Sequence, residues 1–318
     1  MLQRRSALAA LAALPFAGHA QDNKPIKLLV GFPAGGGTDA IARLLAEALQ
    51  VSLGTTVLVD NRPGAGGQIA AQALKTAPAD GTTFFVTHDH TISILPLVMK
   101  NPGFDPAKDF VPVAGFATFA NAFAVSGDTP ARSLPEYLAW VKKQGGQGNV
   151  GVPAASSVPE FLVKLLGEKN GLSLLGVPYR GSAPMIADML GNQISAGVGS
   201  VPDLIVNHQQ KKLRIVAVMG QQRQAVLPEV PTFAELGVSG FEELPYYGIF
   251  APAGTPHTVV ERFSNAVAGV IAQPGVKARL TDLGLSVGMM NAAQLGAREK
   301  AYSAAWARII KAGGFQPQ

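Results

Sequence analysis

The stretch LLVGFPAGGGTDAIARLLAEAL, residues 28–49, leaves few folds open. It reads as an apolar strand, a loop with three consecutive glycines, then a helix. Ile41, Leu44, Leu45, Ala48 and Leu49 recur at the spacing of one helical face. Thr38 or Asp39 can cap that helix. The unit repeats at once: TTVLVDN is a strand, RPGAGGQIAAQALKTA a second glycine loop and helix, GTTFFVTHD a third strand. This βαβαβ order predicts a parallel sheet with helices on its faces.

A second α/β segment follows. SLPEYLAWVKKQ is a helix opened by Ser133, and SSVPEFLVKLLGEKNG a helix closed by Gly171. NVGVPA, LLGVPY, ISAGVGS and LRIVAVMG are strands between helices. YYGIFAPAG is too apolar for a linker and reads as a strand rejoining the first sheet, with helices from about Pro256 onward. The expected architecture is two α/β lobes with a ligand cleft between them. Lobe one would comprise 21–124 and 245–318, and lobe two 125–244, with crossings near 120–126 and 242–250.

The first 20 residues read as a processing segment. Arg4 and Arg5 precede an apolar run from Ala7 to Phe16, and small residues end at Ala20, the pattern of a secretory signal. The run is well short of the roughly 20 apolar residues of a spanning helix. The paired arginines match a twin-arginine signal only in part. Loss of this segment takes the formal charge from +5 to +3, a mild excess without the clustered Lys/Arg of a nucleic-acid binder. With no cysteine, the chain has no disulfide, thiolate nucleophile or lipidated N-terminal cysteine. The expectation is a periplasmic protein without stable membrane insertion.

Gly35-Gly36-Gly37-Thr38-Asp39-Ala40 fits the letters of a dinucleotide-binding turn, and Asp60 sits where a ribose-binding acid would. An α/β enzyme with a nucleotide loop is therefore the alternative. Against it, Phe32, Pro33 and Ala34 lengthen a turn that must be tight, and Asp60 runs into a second glycine loop. No Lys-Ser/Thr follows the glycines, so a P-loop is excluded. Carboxylate capture is simpler: helix N-termini offer unpaired N–H groups and partial positive charge, and glycines admit an anion to the backbone. Such ends occur at 35–39, 64–68, 155–158 and 181–184. There is no G-x-S-x-G, no H-E-x-x-H and no cysteine for catalysis. THDHT, residues 87–91, is a dense polar cluster; its H-x-H lacks a third metal ligand by spacing, and the other readings are a histidine facing the cleft or a capped loop on the surface.

GFPAGGGTDAIARLLAEAL, VLVDNRPGAGG, PADGTTFFV, FDPAKDFVPVA, VPYRGSAPMIADMLGNQISAG, KLRIVAVMGQQRQAVLPEVPTFAELG and YYGIFAPAGTP, in this order, resemble the Bug-type substrate-binding proteins of tripartite tricarboxylate transporters. The resemblance covers essentially all of the chain after residue 20. It implies a two-lobed periplasmic binding fold that closes on a small carboxylated solute and delivers it to a membrane permease. It implies no catalysis, cofactor or metal, no nucleic-acid partner, and a monomer. By motif it places Phe32, Gly35, Gly36, Thr38 and Asp39 in the first-lobe loop and Ala65, Gly66 and Gly67 in its second loop. Thr87 and His88 fall at a strand end. Ala155, Ser156, Ser157, Tyr179, Gly181 and Ser182 fall in second-lobe loops, with Asp203 on the pocket wall. The chain departs from the family pattern at Glu160, where a histidine is common, and at THDHT, where small residues are usual. His88 is expected to face Ser156-Ser157 across the cleft.

Overall fold

The structure, a computed structural model, describes residues 24–312 and 317; the signal segment expected over 1–20 lies outside them. The elements in chain order are β1 (Ile26–Val30), α1 (Gly37–Leu53), β2 (Val57–Asn61), α2 (Gln68–Lys75), β3 (Thr83–His88), α3 (Leu95–Val98), α4 (Pro106–Asp109), β4 (Phe110–Thr118), β5 (Asn121–Ser126), α5 (Leu134–Lys143), β6 (Gln147–Val152), α6 (Val158–Asn170), β7 (Ser173–Pro178), α7 (Ser182–Leu190), β8 (Ala196–Ser200), α8 (Val201–Gln209), β9 (Leu213–Val218), β10 (Tyr246–Pro252), α9 (His257–Ala272), α10 (Pro274–Asp282), β11 (Ser286–Met290) and α11 (Ala292–Ala312). They build two sheets, ordered β11-β4-β10-β3-β1-β2 and β7-β6-β8-β5-β9.

The first βαβαβ is parallel: β2 and β3 flank β1, in register through Val30. The whole sheet is not parallel, however. β10 runs antiparallel to both β3 and β4. The chain leaves the first sheet at the end of β4 and returns near the same edge, so the returning strand must run the opposite way. In the second sheet β6, β7 and β8 are parallel, while β5 opposes β8 and β9 for the same reason.

The first crossing falls at Phe119-Ala120, earlier than the expected boundary at 124, because β5 already pairs with β8 from Asn121. FVPVAGFATFANAFAVS is mostly apolar, and only Thr118 and Asn121 flank the change of sheet. The segment after β9 stays tied to the second sheet: Phe233 N donates to Val218 O and Gly220 N to Phe241 O. Phe119 N donates to Pro245 O at 3.1 Å, so the two crossings lie side by side. A third link is α11. Its buried Trp306 packs 6.2 Å, centroid to centroid, from both Phe161 on α6 and Phe241. Its Arg298 binds Glu243 and the Leu244 carbonyl on the returning segment.

Each sheet is sandwiched by helices. α1 buries Ile41, Leu44, Leu45 and Leu49 against β1 and α9, the face its periodicity predicts. It ends on Gly54 in left-handed conformation. The strand β11 and the α9–α10 pair divide what reads in sequence as a helical C-terminus.

Gly31 ends β1 against the second glycine loop; a Cβ there would lie 2.6 Å from the Gly67 Cα. That neighbour is backbone and cannot rotate away. Gly31→Ala is expected to lower unfolding free energy by about 1–3 kcal/mol, read by urea denaturation. Unchanged stability would show that the two loops are not packed this closely.

Candidate functional site

The C-terminal edges of both sheets face each other, and α1, α6, α7 and α8 point their N-termini into the gap. In open α/β sheets ligands bind at the carboxyl ends of the strands, which is this gap. α1 has Gly36 at its N-cap and no side-chain cap; neither Thr38 nor Asp39 takes that role. Its four N-terminal amides need outside acceptors. Gly36 N donates to Pro33 O at 3.4 Å. Gly37 N donates to Asp203 Oδ1 at 2.6 Å, across the cleft. Thr38 and Asp39 amides remain.

Asp203 is fully engaged. Its Oδ2 accepts from Ser200 Oγ at 2.5 Å and Ser182 Oγ at 2.7 Å, the starts of α8 and α7. Its own amide donates to Ser200 Oγ. A carboxylate of the second lobe thus occupies the N-terminus of a first-lobe helix. The approach needs glycine: a Cβ on Gly37 would lie 2.9 Å from Asp203 Oδ1 and 3.1 Å from the Asp203 amide. The lobes touch again at Gly181, φ +98°, where a Cβ would come within 2.6 Å of Pro33 Cδ.

Asp39 serves its own loop. Its carboxylate accepts from Gly35 N (2.9 Å), Arg43 Nε (2.9 Å) and Asn61 Nδ2 (3.0 Å). Burial raises its pKa, but Arg43, the Gly35 amide and Asn61 outweigh that and leave it below the usual aspartate value.

An inner cavity of about 50 Å³ lies between the lobes, lined by Phe32, Gly36, Thr38, His88, Ser157, Ser182 and Asp203 among others. Of the residues read from the sequence these seven meet there. Ala65, Gly66, Ala155, Ser156, Tyr179 and Gly181 instead line an outer cavity of about 440 Å³, which shares Phe32, Pro153 and Ala154 with the inner one. Gly35, Asp39, Gly67 and Thr87 line neither. Thr87 is fully buried, and Gly67 packs on Gly31 and Thr91. His88 and Ser157 share the inner cavity, whereas Ser156, at φ +52°, turns to the outer one. Ser157 and Glu160 form a reciprocal cap on α6: Glu160 N donates to Ser157 Oγ, and the Glu160 carboxylate accepts from Ser156 N. Glu160 is therefore a loop brace.

The cluster 87–91 is no surface loop. Residues 90–94 form a single π-helical turn. Both histidines line the inner cavity. The His88 ring stacks on Phe32 at 4.7 Å and meets Phe119 and Tyr247 edge-on. Its Nδ1 lies 3.3 Å from Asp89 Oδ1 and 3.4 Å from the His90 amide. His90 is buried, and neither ring nitrogen has a partner among the described residues. Its Nε2 edge lies against the second glycine loop, where a Cβ on Gly66 would come within 2.5 Å. Thr91 Oγ1 fastens that loop through Gly66 O at 2.8 Å. Among the described residues no three acids or histidines are placed to hold a metal, and no helix is long and apolar enough to cross a membrane.

Asp89, His90, Asn121 and Ser200 also line the inner cavity and were not among the expected site residues. The S-x-x-D spacing of Ser200 and Asp203 is a capping signal before an apolar run, and it is the one clue to that junction in the sequence.

A two-lobed α/β fold with a cavity between the lobes at the strand C-termini is that of a solute-binding receptor. Residues 41–315 match the model of the tripartite tricarboxylate transporter family receptor, and the chain belongs to that family. The periplasmic binding protein BugD superposes with a TM-score of 0.87 at 32% identity, over 92% of this chain and 99% of its own. Rpa4515 of R. palustris, solved with adipate, gives 0.87 at 30% identity, covering 92% and 98%. MatC of Rhodopseudomonas palustris, solved with bound malate, gives 0.82 at 27% identity, covering 90% and 98%. Family and neighbours are solute-binding proteins, not enzymes.

Burial holds the His90 imidazole down to about 4, with His88 beside it adding to the effect and Asp89 opposing it. An unfolded imidazole titrates near 6.5. Between those values the unfolded chain binds more protons, so stability falls as pH drops from about 6.5 toward 4, by up to about 3 kcal/mol from this residue. His90→Phe should flatten that part of the stability–pH profile. An equally steep profile in the variant would show that the ring is not held neutral.

Proposed function

We propose that this protein captures a small carboxylated organic molecule in the periplasm, as a monomer, and delivers it to a tripartite tricarboxylate-type membrane permease. The observation that carries the reading is the convergence of four helix N-termini on one cavity between the lobes. The remaining amides at the start of α1 and those at the start of α6 would receive the ligand carboxylate. Each charge-assisted hydrogen bond of this kind is worth about 1.5–3 kcal/mol. The adipate and malate bound by the two Rhodopseudomonas proteins are the same chemical class. The inner cavity has room for only a few water molecules. A longer acid would run past Phe32 and Ala154 into the outer cavity, where exposed Arg180 stands.

Closure stabilises a receptor only if the ligand binds the closed form better. Gly37→Ala tests this without damaging the helix, because alanine is the better helix former. The added methyl would crowd Asp203 and hold the lobes apart. In a thermal-shift screen over mono-, di- and tricarboxylates, amino acids and aromatic acids, at least one acid should raise the melting temperature. A hundredfold excess over Kd stabilises by about 2.7 kcal/mol. Calorimetry on the best ligand should show Gly37→Ala weakened at least tenfold with its circular dichroism intact. No stabilisation by any acid, or equal affinity in the variant, would refute the reading.

A further inference from the structure

We propose that the inner cavity selects a carboxylic acid that also carries a protic group, a hydroxyl or an ammonium, and that His90 is the residue that reads it. The inference rests on the carboxylate reading above and specifies its ligand. His90 is 6% exposed, lines the cavity, and has no partner at either ring nitrogen among the described residues. A neutral imidazole has one N–H donor and one bare acceptor. Buried polar atoms are normally satisfied, so an orphaned pair at a cavity wall marks a place where a ligand completes the set.

The rest of the wall decides what that ligand must bring. Its hydroxyls are engaged: Ser182 and Ser200 donate to Asp203, Ser157 Oγ donates to Ala154 O at 2.7 Å, and Thr38 Oγ1 pairs with the Tyr247 hydroxyl at 3.1 Å. The Gly37 amide is spent on Asp203 as well. Asp89 and Asp203 add carboxylates, and no lysine or arginine lines the inner cavity. The Thr38 and Asp39 amides of α1 and the Ser157 and Val158 amides of α6 are left for one ligand carboxylate. The Asn121 amide and the His88 ring also lie on this wall, and neither reaches a ring nitrogen of His90. A plain alkyl acid brings acceptors only, whereas a hydroxy or amino acid brings the missing donor into a wall that already holds negative charge. A site built to pair with a hydroxyl or N–H rejects the analogue that lacks it, because the site's own polar group is then left bare.

The test is calorimetry with triplets that differ at one carbon: succinate, malate and aspartate; glutarate, 2-hydroxyglutarate and glutamate; propionate, lactate and alanine. The parent should bind the hydroxy or amino member of at least one triplet tenfold or more tighter than its deoxy partner. The preferred member tells which donor is read. In His90→Phe that preference should collapse to within about threefold, with the affinity of the deoxy acid retained. His90→Gln, which keeps a donor and an acceptor, should restore part of it. Tighter binding of deoxy acids, binding of adipate but of no triplet member, or an undiminished preference in His90→Phe would overturn the inference while leaving carboxylate capture intact. Failure of every carboxylate would overturn the carboxylate reading itself, and this inference with it.

Discussion

The closed cleft depends on one carboxylate. Asp203 sits at the N-terminus of α8 and lays its Oδ1 on the Gly37 amide at the N-terminus of α1, while Ser182 from α7 and Ser200 hold its other oxygen. Three positive helix ends converge on a single negative group. Two of these helices belong to the same lobe as Asp203, and α1 belongs to the other, so the interaction is also the bolt between lobes. A charge-assisted hydrogen bond of about 1.5–3 kcal/mol is comparable to the few kcal/mol that separate conformers of a hinged protein. Everything nearby accommodates it: a glycine at 37 because a methyl would strike Asp203, and a glycine at 181 because one would strike Pro33.

The lobes are also joined by covalent crossings and by packing. Phe119 and Pro245 are hydrogen-bonded side by side, and Trp306 of the last helix reaches the second lobe at Phe161 and Phe241. The polar turn carrying His88, Asp89 and His90 lines the cavity from the first lobe, fastened by Thr91 to the second glycine loop. Two separate stretches of sequence, 64–67 and 88–91, thus form one rigid wall of the site.

Much of this was legible in the sequence. Apolar periodicity and glycine loops located β1, α1, β2, α2 and β3, and the apolar YYGIFAPAG located the strand that returns to the first sheet. Phe32, Gly36, Thr38, His88, Ser157, Ser182 and Asp203 meet at one cavity. What local pattern could not show is long-range. The β4–β5 crossing hides in a mostly apolar run, with only Thr118 and Asn121 beside it. The partner of the Gly37 amide lies 166 residues away. The role of the Asp39 side chain was hidden because an acid in the first turn of a helix gives no sign of which neighbours will claim it; Arg43, Asn61 and Gly35 do. THDHT was ambiguous between loop and wall because a π-helical turn has no simple repeat to read.

The absence of cysteine makes the central claim directly measurable. Cysteines introduced at exposed Val51 on α1 and Lys164 on α6 place one spin label on each lobe. Distances between them can then be recorded by pulsed electron resonance with no competing thiol. With Asp203 present, the ligand-free protein should give a narrow distribution at the closed separation. Asp203→Ala should move the population to longer distances, and a bound acid should bring it back. A distribution unchanged by Asp203→Ala would contradict the claim that this carboxylate on the α1 N-terminus holds the lobes together.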